Sequence, residues 1–223
     1  MINKYKTQDA FDYENGYILT SKPYRLGNML AHYELYKKIV NLPGDVIELG
    51  VFKGNSLIQF ATFRELLENQ YSRKIVGFDM FGSFPMTNKV ESDKMFVENW
   101  NETFGNDFLS IEDLERSFQH KKFENIELIQ GDILTTLSEY LEQHPYLKIA
   151  LLHIDVDVYE PTALALELLF ERVVSGGLIV LDDYGTVEGE TKAVDEFLSE
   201  KGISSNLQKF SLSHSKPTFL VKK

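Results

Sequence analysis

Four aspartates follow two apolar segments of the sequence, in a pattern that could bind a cation. They are Asp155, Asp157, Asp182 and Asp183, within the stretch LLHIDVDVYEPTALALELLFERVVSGGLIVLDDYG. Four carboxylates in one place would repel one another unless a cation lay among them. Carboxylate oxygens are also the ligands that Mg²⁺ and Ca²⁺ prefer. The alternative is that these residues only cap helices and form turns, but two convergent pairs favour a metal site.

The two apolar segments, Ile149–Ile154 and residues 178–181, are predicted strands, and residues 161–174 between them are a predicted helix. A strand, helix and strand of this length form a right-handed crossover between parallel strands. Both strands then end at the same edge of the sheet, so the two acidic pairs meet there. Open parallel sheets bind their ligands at this carboxyl edge.

A second candidate binding segment, ELGVFKG, begins at Glu48 in the first predicted strand. Its glycines, Gly50 and Gly54, allow the backbone to pass close to a ligand. A glycine turn between the first strand and the first helix commonly cradles a nucleotide, although this pattern is neither G-x-G-x-x-G nor a phosphate loop. Glu48 favours a cationic or hydroxyl-bearing ligand over a pyrophosphate.

Two further acids follow the second and third predicted strands, residues 74–79 and Ile126–Gln130. Asp79 lies far enough beyond the glycine turn to accept hydrogen bonds from ribose hydroxyls, and its alternative role is to cap the strand end. Asp132, directly after Gly131, could reach the amino group of an adenine. These acids therefore predict a nucleoside at the same edge of the sheet.

Composition limits the class of protein. The chain has 223 residues, of which 43% are hydrophobic and 26% charged, as in one large α/β domain. A net charge of −11 argues against nucleic-acid binding. No apolar run is long enough to insert into a membrane, no apolar signal core precedes the domain, and cysteine is absent. We therefore expect a cytoplasmic protein without disulfides or thiolate metal sites.

The predicted organisation is one domain over residues 1–223. Residues 1–24 are rich in aromatic side chains and form either a flap over the site or a frayed terminus. Residues 25–44 hold a leading helix, and residues 45–223 form the α/β core, in which residues 80–122 are a lid-like insertion. The other predicted elements are helices at 25–40, 57–69, 93–100, from Ser110 onwards, Ile133–Gln143 and 189–200, and a closing hairpin of 207–211 and Thr218–Val221 around 213–217.

In this order, the phrases ELGVFKG, GFD, QGD, HIDVDVYEPT and GGLIVLDDYG resemble class I S-adenosylmethionine-dependent methyltransferases, and more closely the macrocin O-methyltransferase family. The resemblance runs from about Arg25 to the C-terminus. It implies a Rossmann-like α/β fold with a seven-stranded, mostly parallel sheet, helices on both faces and an antiparallel last strand. It also implies methyl transfer from S-adenosylmethionine to a hydroxyl of a sugar or glycosylated natural product, with Mg²⁺ or Mn²⁺.

The same resemblance implies roles for individual residues. Asp155, Asp182 and Asp183 would be the metal ligands, and Asp155 would also be the catalytic base. The implied cofactor contacts are Glu48, Gly50, Gly54, Ser56, Asp79, Gly131 and Asp132. His153 is the alternative base, although its depth in the strand favours a hydrogen-bonded core histidine. Val158 occupies the place where catechol-type relatives carry a lysine, so no lysine base is expected there.

Two other functions are compatible with a sheet of this kind. An NAD-linked oxidoreductase is disfavoured because G-x-G-x-x-G is absent, and a non-catalytic binding module is disfavoured because unpaired carboxylates would be costly to retain. The expected partners are a small-molecule or glycan hydroxyl acceptor and a second copy of the chain, in a homodimer or a higher homo-oligomer.

Overall fold

A seven-stranded sheet forms the centre of the computed structural model, which describes residues 1–87, 89–105, 107–203, 207–212 and 216–223. The strands are β1 (Asp45–Leu49), β2 (Ile75–Asp79), β3 (Ile126–Gln130), β4 (Ile149–Ile154), β5 (Val173–Leu181), β6 (Gln208–Lys209) and β7 (Thr218–Val221). Their order is β3-β2-β1-β4-β5-β7-β6, and β7 is antiparallel to both neighbours. The predicted sheet with an antiparallel last strand is therefore confirmed. Part of the predicted hairpin connection at 213–217 lies outside the described residues.

Helices cover both faces of the sheet. They are α1 (Ala10–Thr20), α2 (Pro23–Ile39), α3 (Asn55–Leu67), α4 (Glu91–Phe104), α5 (Ile111–Lys121), α6 (Ile133–Gln143), α7 (Tyr159–Leu169) and α8 (Glu188–Glu200). One apolar core joins the sheet to α6, α7 and α8, and a second joins it to α2, α3 and α5. Because both faces are covered, all six residues of β4 are buried. No helix in the described part of the chain is long and apolar enough to cross a membrane.

The predicted boundary between α7 and β5 is wrong. The helix ends at Leu169, a 3-10 turn follows at Phe170–Arg172, and the strand begins at Val173 rather than at residue 178. The glycines at 176 and 177 interrupt the apolar pattern but not the hydrogen bonding to the residue after β7, since Gly176 N donates to Lys222 O. The register against β4 shifts here, because Ile149 pairs with Val173 and Leu151 pairs with Leu178, so the extra residues lie on β5.

The N-terminal segment contains a helix that the sequence pattern did not predict. No residue of α1 is buried, so packing against the core imposes no clear helical repeat on its sequence. The segment nevertheless contacts the insertion, because Asn3 N donates to Asp113 Oδ1 over 2.9 Å. Whether it moves as a flap stays a prediction.

The insertion at 80–122 contains α4 and α5. Ser110 caps α5 as predicted, and its Oγ accepts from Asp113 N at 3.2 Å. α4 is anchored through Asp93, whose Oδ2 accepts from Tyr159 N at 2.7 Å at the start of α7. A side chain at Gly189 would begin 2.1 Å from Asp93 Oδ1, so α8 also approaches this carboxylate closely. Because Asp93 lies next to the N-terminus of α7, its carboxylate also complements the dipole of that helix.

Gly50→Ala should destabilise the protein strongly. Gly50 has a φ of +88°, and an added Cβ would lie 1.8 Å from the backbone oxygen of Asp155. The strained φ and the clash with backbone together should lower the free energy of unfolding by about 3 kcal/mol. Gly202→Ala is the control, because Gly202 also has a positive φ but open space around it, and it should cost about 1 kcal/mol. Equal losses in urea unfolding of the two variants would contradict this account.

Asp93→Ala should release α4 from the core. The backbone N–H of Tyr159 would lose its acceptor, so hydrogen exchange should accelerate across Glu91–Phe104 while the strands keep their protection. Glu98→Ala is the matched control, since Glu98 is an exposed acid on the same helix. Unchanged protection of α4 in Asp93→Ala would mean that another contact holds the insertion.

Candidate active site

An open cleft lies at the carboxyl ends of the parallel strands. Of the residues singled out in the sequence as site candidates, those that line it are Gly50, Asp79, Gly131, Asp132, Asp155 and Asp157. Glu48, Gly54, Ser56, Asp182 and Asp183 do not line it. The crossover between β4 and β5 therefore brings its two acidic pairs to the same edge, but only the first pair faces the open space.

The insertion supplies an aromatic wall of the cleft. Trp100 lines the cleft and packs against Phe52, Phe96 and Phe104, at ring-centroid distances of 5.2, 5.8 and 4.9 Å. Phe52 belongs to the turn after β1, so this cluster joins the insertion to the glycine turn. Such a wall offers a flat, largely apolar surface to a ligand.

Asp79 organises the glycine turn. Its Oδ2 accepts from Val51 N at 2.8 Å and from Phe52 N at 2.9 Å, and its Oδ1 accepts from Phe81 N at 2.6 Å. A carboxylate has about four lone-pair directions, so roughly one remains for a ligand. The two roles considered for Asp79, turn residue and ligand contact, are therefore compatible in one side chain.

The other predicted contacts have clear local roles. Gly54 has a φ of +73°, and a Cβ there would lie 2.5 Å from Leu114 of α5, so glycine permits close packing. Ser56 is buried in the first turn of α3. Asp132 caps α6, since its Oδ1 accepts from Leu134 N at 2.9 Å. For Gly54 and Ser56, which lie outside the cleft, cofactor contact stays a prediction.

The acidic cluster has the composition of a hard-cation site. Asp155, Asp182 and Asp183 each offer an oxygen, and these oxygens lie within 4.8 Å of one another. Burial and the charge of Asp182 raise the pKa of Asp155 well above its usual range. Burial alone would also raise the pKa of Asp182, but the neighbouring His153 and Lys216 lower it to about 2. The cluster therefore carries more negative charge than its surroundings neutralise.

Lys216 contacts the second acidic pair and was not found by sequence reasoning. Its Nζ touches Asp183 Oδ1 and lies 3.6 Å from Asp182 Oδ2. The register of β5 against β7 places Leu181 opposite Thr218, which brings Lys216 to the position opposite Asp183. Its side chain is 33% exposed, so the ammonium has a path to solvent.

Glu190 is a second residue that sequence reasoning missed. It is fully buried at the start of α8, and its Oε1 accepts from Asp183 N at 3.0 Å. Burial and the charge of Asp155 raise the pKa of Glu190 well above its usual range. Glu190 thus fixes the backbone that carries Asp183.

Glu48 and His153 lie beneath the cleft as a buried pair. Both side chains are fully buried, with His153 Nδ1 3.0 Å from Glu48 Oε1. His153 does not line the cleft, whereas Asp155 does. The alternative base is therefore a hydrogen-bonded core histidine in this structure, and direct cofactor contact by Glu48 stays a prediction.

Two proteins with similar sequences are O-methyltransferases. The demethyldecarbamoylnovobiocin O-methyltransferase of Streptomyces niveus is 28% identical over 174 residues, which are 75% of this chain and 63% of that protein. The 8-demethyl-8-(2,3-dimethoxy-alpha-L-rhamnosyl)-tetracenomycin-C 4'-O-methyltransferase of Streptomyces olivaceus is 27% identical over 73% of this chain and 61% of its own length. This chain thus spans less than two thirds of the length of these relatives.

Solved structures match the fold. The calicheamicin methyltransferase CalS11 superposes with a TM-score of 0.71 at 24% identity, covering 98% of this chain and 86% of that one. The O-methyltransferase NovP gives 0.75 at 22% identity, covering 88% and 79%. These matches confirm the predicted Rossmann-like class I methyltransferase fold.

A family model decides the relationship. The model described as Macrocin-O-methyltransferase (TylF) matches residues 18–213, which include both acidic pairs and the glycine turn. This match argues against the NAD-linked oxidoreductase considered as an alternative. The chain belongs to the macrocin O-methyltransferase family, as its motifs predict.

Proposed function

We propose that this protein transfers a methyl group from S-adenosylmethionine to a hydroxyl of a sugar or glycosylated natural product. The observation that carries the proposal is the convergence of Asp155, Asp182 and Asp183 at the edge of a cleft, in a chain of this family. One named relative acts on a rhamnosyl-bearing tetracenomycin, which supports a glycosylated acceptor.

The cleft has suitable groups for the cofactor. The turn at Gly50 allows close approach of the backbone, and Asp79 keeps acceptor capacity for ribose hydroxyls. Asp132 lines the same cleft, and we propose that it reaches the amino group of the adenine. S-adenosylmethionine would supply the methyl group from a sulfonium cation, which the surrounding carboxylates favour electrostatically.

The acidic cluster fits a hard divalent cation. Asp155, Asp182 and Asp183 would hold Mg²⁺ or Mn²⁺ through oxygen ligands, provided that Lys216 moves away from Asp183. When bound, the ion would supply a Lewis acid that lowers the pKa of the acceptor hydroxyl. Glu190 would keep Asp183 in position through its hydrogen bond to the backbone.

Asp155 is the proposed base. It is the one member of the carboxylate trio that lines the cleft, so its free oxygen can accept the hydroxyl proton. The aromatic wall at Trp100 would hold the acceptor and exclude water. The orientation of the acceptor matters because displacement requires the attacking oxygen, the methyl carbon and the leaving sulfur to be collinear. Binding and orientation by the chain would then account for much of the rate.

Self-association and location remain parts of the proposal. Phe11, Ile18 and Leu19 of α1 are 63–77% exposed, and exposed apolar side chains of this size support a homo-oligomer. The cytoplasmic location inferred from the sequence also stays a prediction.

The protein should bind S-adenosylhomocysteine in the micromolar range, which corresponds to about −8 kcal/mol. Trp100 is the only tryptophan and lines the cleft, so binding should change the tryptophan fluorescence. Asp79→Ala should weaken binding and also lower stability, because three backbone N–H groups lose their acceptor. Asp79→Asn keeps an acceptor oxygen and should lose less of both. If calorimetry detects no heat of binding and the tryptophan fluorescence does not change, with and without Mg²⁺, cofactor binding is refuted.

Methyl transfer should stop in EDTA and return with Mg²⁺ or Mn²⁺. Asn at Asp182 or Asp183 should reduce turnover and Mg²⁺ affinity but keep cofactor affinity, and Asp155→Asn should do worse because it removes a ligand and the base together. Asp157→Asn is the control and should keep its metal dependence. The measurements are Mg²⁺ calorimetry, which needs no acceptor, and release of S-adenosylhomocysteine with a panel of rhamnosylated acceptors.

Lys216→Met tests the competition between ammonium and metal. The variant keeps the unbranched stem but removes the charge, so the Mg²⁺ affinity should rise by about three- to tenfold. Lys222→Met is the control, because Lys222 pairs with Glu171 away from the cleft. If EDTA leaves the wild type fully active and Lys216→Met is inactive, the lysine itself supplies the cation and the metal proposal fails.

A further inference from the structure

Three buried side-chain atoms behind the acidic cluster point towards one another without a hydrogen-bond partner. They are His32 Nε2, His153 Nε2 and Asp182 Oδ1. The two nitrogens lie 3.9 and 3.8 Å from Asp182 Oδ1, and all three atoms fall within 4.8 Å of one another. Unpaired polar atoms are rare at this depth, and three that face one centre form a candidate set of ligands for a cation.

The outer nitrogens of both histidines are already held. His32 Nδ1 lies 2.9 Å from Gln59 Oε1, and His153 Nδ1 lies 3.0 Å from Glu48 Oε1. Both partners can accept a proton from Nδ1, so each Nε2 could bind a cation with its lone pair once it is deprotonated. Metal-binding histidines are oriented in this way, with the second ring N–H donated to a carboxylate or carbonyl oxygen.

We propose that His32, His153 and Asp182 form a second cation site, selective for a borderline divalent ion such as Zn²⁺ or Co²⁺. Two imidazoles and one carboxylate favour these ions over Mg²⁺. Asp182 is shared between the two sites, because its Oδ1 faces the histidines while its Oδ2 faces Lys216. The proposal does not depend on the reaction that the cleft catalyses.

The position of the site gives it a structural role. His32 belongs to α2, His153 to β4, and Asp182 follows β5, so a bound ion would tie the leading helix to the centre of the sheet. None of the three residues lines the cleft. The ion would therefore fix Asp182, and through it the neighbouring acidic cluster, without touching a substrate.

A proton or a water molecule satisfies the three atoms less well. A proton on His153 Nε2 would leave a gap of 3.8 Å to Asp182, which is too long for a hydrogen bond, and His32 would stay unpaired. A water has two protons for three acceptors. A divalent ion can contact all three, and the charges of Asp182 and the adjacent Glu48 balance its own.

Titration with Co²⁺ in excess Mg²⁺ tests the proposal. Mg²⁺ occupies oxygen sites, and Co²⁺ bound by nitrogen at low coordination number absorbs visible light far more strongly than octahedral Co²⁺ with oxygen ligands. The wild type, refolded with the ions present so that a buried site can fill, should develop this absorption to one equivalent. Its melting temperature should rise in parallel. Absence of the band, or binding without nitrogen coordination, would overturn the proposal.

Two variants and one control sharpen the test. His32→Gln should abolish the band, whereas His144→Gln should keep it, because His144 packs on Tyr140 outside the cluster. Gln59→Ala leaves all three ligands in place and should weaken Co²⁺ affinity by about 10–100-fold, which keeps the test valid if His32→Gln fails to fold. A band that persists unchanged in a folded His32→Gln would assign the ion to another site and refute the proposal.

Discussion

The burial of several carboxylates where β4 and β5 end is the constraint on which the rest of the structure depends. An ionised carboxylate in a protein interior costs several kcal/mol unless its charge is compensated. Glu48, Asp182, Asp183 and Glu190 are all buried within this region. The chain compensates them with imidazole, ammonium and backbone N–H groups, each supplied by a different element. The elements around the sheet edge are therefore coupled through electrostatics as well as through apolar packing.

The elements that compensate this negative charge are mostly additions to the parallel sheet. The strand β7 brings Lys216 opposite Asp183, and α2 brings His32 beside Asp182. The helix α8 instead adds a further carboxylate, Glu190, which accepts a hydrogen bond from the backbone of Asp183. The crossover from β4 to β5 alone would create an acidic edge without partners. An antiparallel last strand thus does more than close the sheet, since its reversed direction brings a residue from near the C-terminus to the ends of the parallel strands.

Local patterns predicted what local interactions determine. The bounds of β3, α6 and β7 follow from apolar periodicity and turn residues, and the meeting of the two acidic pairs follows from the handedness of the crossover. Local patterns could not predict the contacts that depend on the register between distant segments of the chain. Lys216 lies 33 residues from Asp183 along the chain, and only the pairing of β5 with β7 brings them together. The helix α1 was missed because it buries nothing, so no pattern marks it.

Lys216 and a divalent cation are alternative ways to neutralise the same excess negative charge, and the number of carboxylates favours the cation. Asp155, Asp182 and Asp183 carry three negative charges when ionised, whereas Lys216 supplies a single positive one and contacts only the second pair. The pKa of Asp155 stays well above its usual range with Lys216 in contact, so the ammonium does not neutralise the residue that faces the cleft. A divalent cation among all three oxygens would reach that carboxylate directly. At the proposed metal site, Lys216 would hold the acidic pair until a cation displaces it.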